Sequence, residues 1–412
     1  MMRYRKILYL ISAVVLILVL INFFTRSCEE TTPIDEQIVL LPSPKPFIYK
    51  NLDSLLIAHK ADELDKIFSR LVKLTGFNGN VLYAEKGRII FEKSYGFRDY
   101  YRMKDPIQIT DAFQLASVSK MFTAMAIMIL HKNGAVDYDI DVKEYLPGFP
   151  YPGVTVRMLM THRAGMPNYM YAADDFWPDR NKPLDNDAML QMLIEHQPEV
   201  IFNANRGFSY NNTNYALLAN IVEEISGQHF DEYVKENIFE PLGMDSSFVY
   251  NLRGDSIVPQ YIDRGIPGYY HRGRRWREMP NDHLNGVMGD KNVYSTVEDM
   301  YKFDRSLDQF TLLPKEDLTE AFSPGSPSYR GRKDNYGFGW RIKTDMDSTV
   351  YHFGWWKGFR TFYIRDMKYQ KTLIVLTNKE KGLGSSHLWD IIQSDTMPLG
   401  CCSDFNLPIP IK

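Results

Sequence analysis

Ser117 and Lys120 stand three residues apart in FQLASVSKMFTAMAIMIL, residues 113–130. The residues after them, Met121, Phe122, Met125, Ile127, Met128 and Leu130, form an apolar run whose length suits a buried helix better than a strand. Gly134 falls where the C-terminal cap of such a helix belongs. Ser117 then lies at the helix start and Lys120 one turn later on the same face, so a hydroxyl and an amine meet. In a dry site burial lowers a lysine pKa, and the neutral amine takes the serine proton. The free N–H groups of the helix start offer a place for an oxyanion. The chemistry is nucleophilic attack on a carbonyl. The plain alternative, a serine that only caps a helix, fits the same residues. The chain holds no second Ser-x-x-Lys.

Two further constellations stand downstream. Tyr210-Asn211-Asn212 precedes a helical pattern at residues 215–225, and a Tyr and an Asn two apart on a turn can point the same way. His352-Phe353-Gly354 closes a short strand pattern at residues 349–353. His162, in a loop after a short helix over residues 154–161, reads as a structural residue. The basic and aromatic stretch GYYHRGRRWRE reads as an exposed loop, and residues 169–184 as an aromatic, acidic loop broken by proline.

The elements that must position these groups follow from periodicity. Residues 52–74 read as an amphipathic helix, and residues 81–97 as two strands turning at Lys86-Gly87. Helices are expected at 185–196, about 215–225 and 229–239. Residues 285–294 read as a glycine-containing turn. Ser295-Thr296-Val297-Glu298 reads as a capping box opening a helix to about Leu307. Strands at 349–353, 360–365 and 372–377 and a last helix at 386–394 complete the pattern. The fold class is therefore α+β: one antiparallel sheet built from N- and C-terminal parts, flanked by helices, with a mostly helical subdomain to one side and Ser117 between the two.

The 412 residues are 44% hydrophobic and 24% charged, with a net charge of −3, which describes an ordinary globular protein and singles out no partner. No basic tract with interleaved aromatics suggests nucleic acid. The three cysteines, Cys28, Cys401 and Cys402, show no metal spacing, and no cofactor is called for. Arg3, Arg5 and Lys6 precede an apolar run over residues 7–24, which reads as an uncleaved membrane anchor in preference to a lipoprotein signal, with the remainder of the chain across the membrane in the periplasm or outside. The expected organisation is an anchor or signal segment at 1–28, a linker at 29–50, one hydrolase domain at 51–400 and a tail at 401–412.

Taken together in this order, Ser117-x-x-Lys120, Tyr210-x-Asn212 and His352-x-Gly354 resemble the motifs of the serine β-lactamase and penicillin-binding-protein superfamily. The Tyr-x-Asn form looks like the branch that holds class C β-lactamases, D-Ala-D-Ala carboxypeptidases and related esterases. LMTHRAGMPNY, SYNNTNYALLANIVEEISG, EPLGMDSSF and VYSTVEDMYKF look like that branch too. The resemblance implies a β-lactamase/transpeptidase-like fold and an acyl-enzyme on Ser117. Lys120 and Tyr210 would move the proton, because a tyrosine beside an ammonium has its pKa pulled down. Asn212 would hold a substrate amide, and the N–H groups of Ser117 and Trp355 would form the oxyanion hole. His352 stands where lactamases usually carry Lys, and Phe353 where Ser or Thr is common. A histidine mostly neutral at pH 7 suits a substrate carboxylate poorly. That favours a peptidase or esterase with another carboxylate partner, for which Arg360 is a candidate. A true β-lactamase and a non-catalytic binding or sensor protein are the alternative readings.

Overall fold

The computed structural model describes residues 50–252, 257–259, 264–327 and 334–399. The expected anchor at 7–24, the linker and the tail from residue 401 lie outside them. Among the described residues no helix is long and apolar enough to cross a membrane.

The helix Lys50–Thr75 buries Leu64, Phe68 and Leu71, which recur on one face at helical spacing. Seven strands form the central sheet. They are numbered here in chain order: β1 (Gly79–Glu85), β2 (Arg88–Tyr95), β3 (Asp334–Tyr336), β4 (Arg341–Lys343), β5 (Thr349–Trp356), β6 (Phe359–Asp366) and β7 (Lys371–Thr377). Their spatial order is β3-β4-β5-β6-β7-β1-β2, and every pairing is antiparallel. Lys86 and Gly87 both have positive φ, 51° and 74°, the backbone a two-residue hairpin turn demands.

Side chains alternate across this sheet. Val81, Tyr83, Phe362, Ile364, Leu373 and Val375 face the helix Lys50–Thr75 and the last helix Ser386–Ile392. Leu82, Ala84, Val350, Tyr363, Ile374 and Leu376 face the main core shared with the helical part. At the centre of that part runs the helix Lys120–Lys132, buried from Lys120 to Leu130 on all sides, as a helix apolar all round must be. Gly134, at φ 74°, follows its end as expected. The expected helix at 229–239 is present as an α-helical turn, Phe230–Val234, running on into a wider turn, Lys235–Phe239.

Three local readings are corrected. The segment read as a long loop at 169–184 begins with the helix Tyr169–Phe176, capped by Asn168, whose side chain accepts from the Met170 N–H. The helix Val297–Gln309 is capped by Thr296 accepting from the Asp299 N–H, not by a Ser295–Glu298 box. The basic stretch is a two-stranded ribbon, Tyr269–Arg272 paired with Arg275–Glu278.

Candidate active site

Ser117 lies in the single-turn 3₁₀ helix Ala116–Ser119 that leads into the helix Lys120–Lys132. The short strand Phe113–Gln114 delivers it, pairing with Val293–Ser295. Ala116 is held at φ 50°, a left-handed conformation that a residue with a Cβ adopts at some expense, and such strain gathers at functional turns. The surroundings fix it. The Leu115 N–H bonds Val293 O (2.8 Å), and Leu115 O accepts from Thr361 Oγ1 on β6 (2.6 Å). Gly354 on β5 explains the close approach of sheet and turn: a Cβ there would stand 2.2 Å from Leu115 O and 2.3 Å from Thr361 Oγ1.

Lys120 is fully buried, and its Nζ has three acceptors: Asn212 Oδ1 (2.8 Å), Asp290 O (2.7 Å) and Ser117 Oγ (3.3 Å). These account for the three donors of an ammonium. Asn212 is the first residue of the helix Asn212–Ser226, and Asn211 caps it by accepting from the Thr213 N–H. Tyr210, just before the cap, is drawn into the same cluster. Lys120 Nζ lies 5.0 Å from its ring centroid, and among the described residues its buried hydroxyl has no hydrogen-bond partner.

His162 belongs to the support of this turn. It is fully buried at φ 58°, 4.4 Å from the Tyr210 ring, and its Nδ1 accepts from the Asn211 N–H (3.2 Å). A backbone N–H can only donate, so Nδ1 carries no proton. Burial, then the charges of Lys120 and Arg341, push the His162 pKa well below its ordinary value.

His352 is likewise buried, and burial, followed by the charges of Arg341 and Lys120, pushes its pKa well below the usual range. Its Nδ1 meets Phe353 O (3.0 Å) and its Nε2 meets the Tyr336 hydroxyl (2.9 Å). A carbonyl only accepts, so the neutral ring donates through Nδ1 and receives the Tyr336 proton at Nε2. The third motif therefore brings a neutral ring to within 6.1 Å of Tyr210, and no cation.

The strand period separates the neighbouring candidates. Gly354 shares the site face of the sheet with His352, whereas Phe353 packs into the opposite core and the Trp355 side chain stands on that opposite side, 69% exposed. Only the backbone of Trp355 is left for the site. Arg360, the expected carboxylate partner, shares the Phe362 and Ile364 side of β6, with its guanidinium 5.6 Å from the Phe362 ring, and so faces away from Ser117.

An arginine that does reach the site is Arg341 of β4, stacked 4.8 Å from the Tyr210 ring and 5.7 Å from Tyr336. No motif surrounds it, so spacing gave no signal. The stretch read as a glycine-containing turn also supplies site residues. Besides the Asp290 carbonyl on Lys120, Lys291 Nζ bonds Tyr169 Oη (2.6 Å) and Asp290 Oδ1 (3.1 Å). Both charged side chains are buried, and Lys291 Nζ lies 5.1 Å from the Trp356 ring. Among the described residues no group of three His, Cys, Asp or Glu is arranged to hold a metal.

Known proteins share this construction. The Beta-lactamase family model matches residues 64–394. Penicillin-binding protein 4* of Bacillus subtilis (strain 168) is 36% identical over 334 residues, covering 78% of this chain and 73% of that one. The teichoic acid D-alanine hydrolase of Staphylococcus aureus is 23% identical over 417 residues, 96% of this chain and 98% of its own. The crystal structure of a penicillin binding protein from Bacillus halodurans superposes with a TM-score of 0.67 at 26% identity, over 79% of this chain and 96% of that one. The chain belongs to the serine β-lactamase and penicillin-binding-protein superfamily, as a serine hydrolase with the β-lactamase/transpeptidase-like fold.

Proposed function

We propose that the chain hydrolyses D-alanyl peptides or esters through an acyl-enzyme on Ser117. The observation that carries this reading is the position of Lys120 Nζ, bonded at once to Ser117 Oγ, Asn212 Oδ1 and Asp290 O. As an ammonium with every N–H engaged, Lys120 donates to Ser117 and has no lone pair to take its proton. Tyr210, whose oxygen is left without a hydrogen-bond partner among the described residues, reacts as the phenolate beside the Lys120 ammonium: it takes that proton as Ser117 attacks the carbonyl, and returns it to the leaving group. Water then attacks the ester, with Tyr210 accepting its proton and passing it to Ser117 Oγ. The N–H groups of Ser117 and Trp355 hold the oxyanion. Asn212 Nδ2 is free to take the acyl carbonyl, since Met170 Sδ at 3.7 Å is a weak acceptor.

Arg341, on the Tyr210 ring, receives the substrate carboxylate that a neutral His352 cannot pair. The relatives, penicillin-binding proteins and a teichoic acid D-alanine hydrolase, support a D-alanyl substrate. The basic residues ahead of the apolar run at 7–24 support an anchored protein with this domain outside the cytoplasmic membrane.

The test is intact-mass spectrometry with a fluorescent penicillin and, separately, a fluorophosphonate, on the wild type and Ser117→Ala. A lasting penicillin adduct lost in the variant supports a D-alanyl peptidase. Labelling by fluorophosphonate alone supports an esterase. Rapid penicillin turnover makes the protein a β-lactamase instead, and no label from either reagent overturns the acyl-enzyme.

A further inference from the structure

The ribbon Tyr269–Arg272 with Arg275–Glu278 has two unlike faces. Cross-strand partners share a face, and the register is Tyr269↔Glu278, Tyr270↔Arg277, His271↔Trp276, Arg272↔Arg275. One face is packed: Trp276 meets Tyr100 edge-on at 5.5 Å, and Lys379 Nζ lies between them, 4.3 Å from one ring and 4.0 Å from the other. The other face presents Tyr270, Arg272, Arg275 and Arg277, with Arg274 at the turn. All four arginines are exposed, and among the described residues none has a carboxylate within ion-pair distance. Arg272 and Arg275 are directly opposed, a like-charge pair that destabilises a bare ribbon.

The ribbon also has a position. A Cβ on Gly268 would stand 2.2 Å from Lys357 O, and one on Gly358 2.4 Å from Tyr269 N. The ribbon's base thus meets, backbone to backbone, the turn between β5 and β6, directly after Trp355 and Trp356. From there its first strand runs along the residues that follow β7: the Tyr269 N–H bonds Asn378 O, Tyr269 O accepts from the Glu380 N–H, and the His271 N–H bonds the Glu380 carboxylate.

We infer that this face is a docking site for a polymeric substrate with phosphodiesters along its backbone. Guanidinium forks match phosphate oxygens and are always charged. Alternate residues on a strand are about 6.6 Å apart, so Arg275 and Arg277 form a row that follows successive charges along one chain. A row of exposed arginines on a ribbon rooted at the turn after Trp356, outside the Ser117 cluster, holds a long anionic chain while one of its acyl groups enters the site. This inference rests on the D-alanyl hydrolase reading and narrows its substrate to acyl groups carried on such a chain.

The experiment measures binding of poly(glycerol phosphate) to the full chain and to Arg272→Ala/Arg275→Ala/Arg277→Ala across a salt series. Turnover of a small neutral D-alanyl ester is followed in parallel. The expected result is wild-type affinity that falls steeply with salt, and a loss of about tenfold or more with a flatter salt slope in the triple variant. Small-ester turnover, which also reports intact folding, should stay within about twofold. Equal polymer affinity in both proteins overturns the inference. Arginine-dependent binding to phosphatidylglycerol vesicles but not to the polymer also overturns it, assigning the face to a lipid surface. Because the binding assay needs no turnover, it can be run on Ser117→Ala. Polymer binding by both proteins, with no acylation of the wild type, would then sink the hydrolase reading alone.

Discussion

Lys120 reaches its place because a buried ammonium must have partners, and the fold supplies three from three distant segments. Lys291 meets the same requirement beside it, with Tyr169, Asp290 and the Val287 carbonyl. Burial pushes the Lys291 pKa down while the Asp290 carboxylate pulls it back up. Lys291→Met should therefore cost about 3–5 kcal/mol, because it strands the Asp290 charge. Asp290→Asn/Lys291→Met should recover most of that loss by removing both charges. Urea denaturation midpoints of the wild type and the two variants check this, and a double variant no more stable than the single one would refute it. At this scale the sequence pointed to Ser117, Lys120, Tyr210 and Asn212, which the structure gathers together, since each motif places its own residues one turn or two positions apart. It was silent on Arg341 and the Asp290 carbonyl. Their nearness to Tyr210 and Lys120 is made by β4 and by the 290 loop arriving from elsewhere in the chain, and a backbone carbonyl carries no residue type to read.

The elements around the site behave as rigid mounts. β5 runs against the Ser117 turn with only a hydrogen atom of Gly354 between them. Gly354→Ala should push the two apart, break the Thr361–Leu115 bond and slow Ser117 acylation by about 100-fold, since misplacement of about 1 Å costs that much. Stability should fall by only about 1–3 kcal/mol, the usual cost of one overpacked methyl. Acylation kinetics beside a thermal melt separate the two effects, and a variant that loses stability with unchanged acylation contradicts this role. Elements with a strong local signal were legible: the Lys86-Gly87 hairpin, the all-apolar helix after Lys120, the strands at 349–377. The helix Tyr169–Phe176 was missed because its aromatic and acidic residues hide the period, although Asn168 after Pro167 was a readable cap. The ribbon was missed because its arginines disguise the alternation that Tyr269 and Trp276 create.

In the molecule as a whole, His162 and His352 are both kept neutral inside the fold. Both pKa values are lowered from the ordinary histidine value of about 6.5, so below that pH the unfolded chain binds protons that the native one refuses. Stability from these groups is complete above about pH 6.5 and is lost as pH falls below it, at up to about 1.4 kcal/mol per pH unit for each histidine. Melting temperatures from pH 7.5 down to pH 5 should fall more steeply for the wild type than for His352→Gln. Parallel slopes would contradict the neutral assignment of His352.

The sheet itself closes on strands from the two ends of the domain: β1 lies between β2 and β7, and Asn78 bonds Asn378 across 300 positions. Contacts of such sequence separation form late and slowly. During synthesis β1 has no β7 to pair with until nearly the whole domain has been made, and it waits as half of an open hairpin edge. Chain growth thus delays completion of the sheet until the last strand emerges. A nascent chain stopped before Lys371 should remain protease-sensitive and without an acylable serine, because both β7 and the helix Ser386–Ile392 that covers the sheet are still to come.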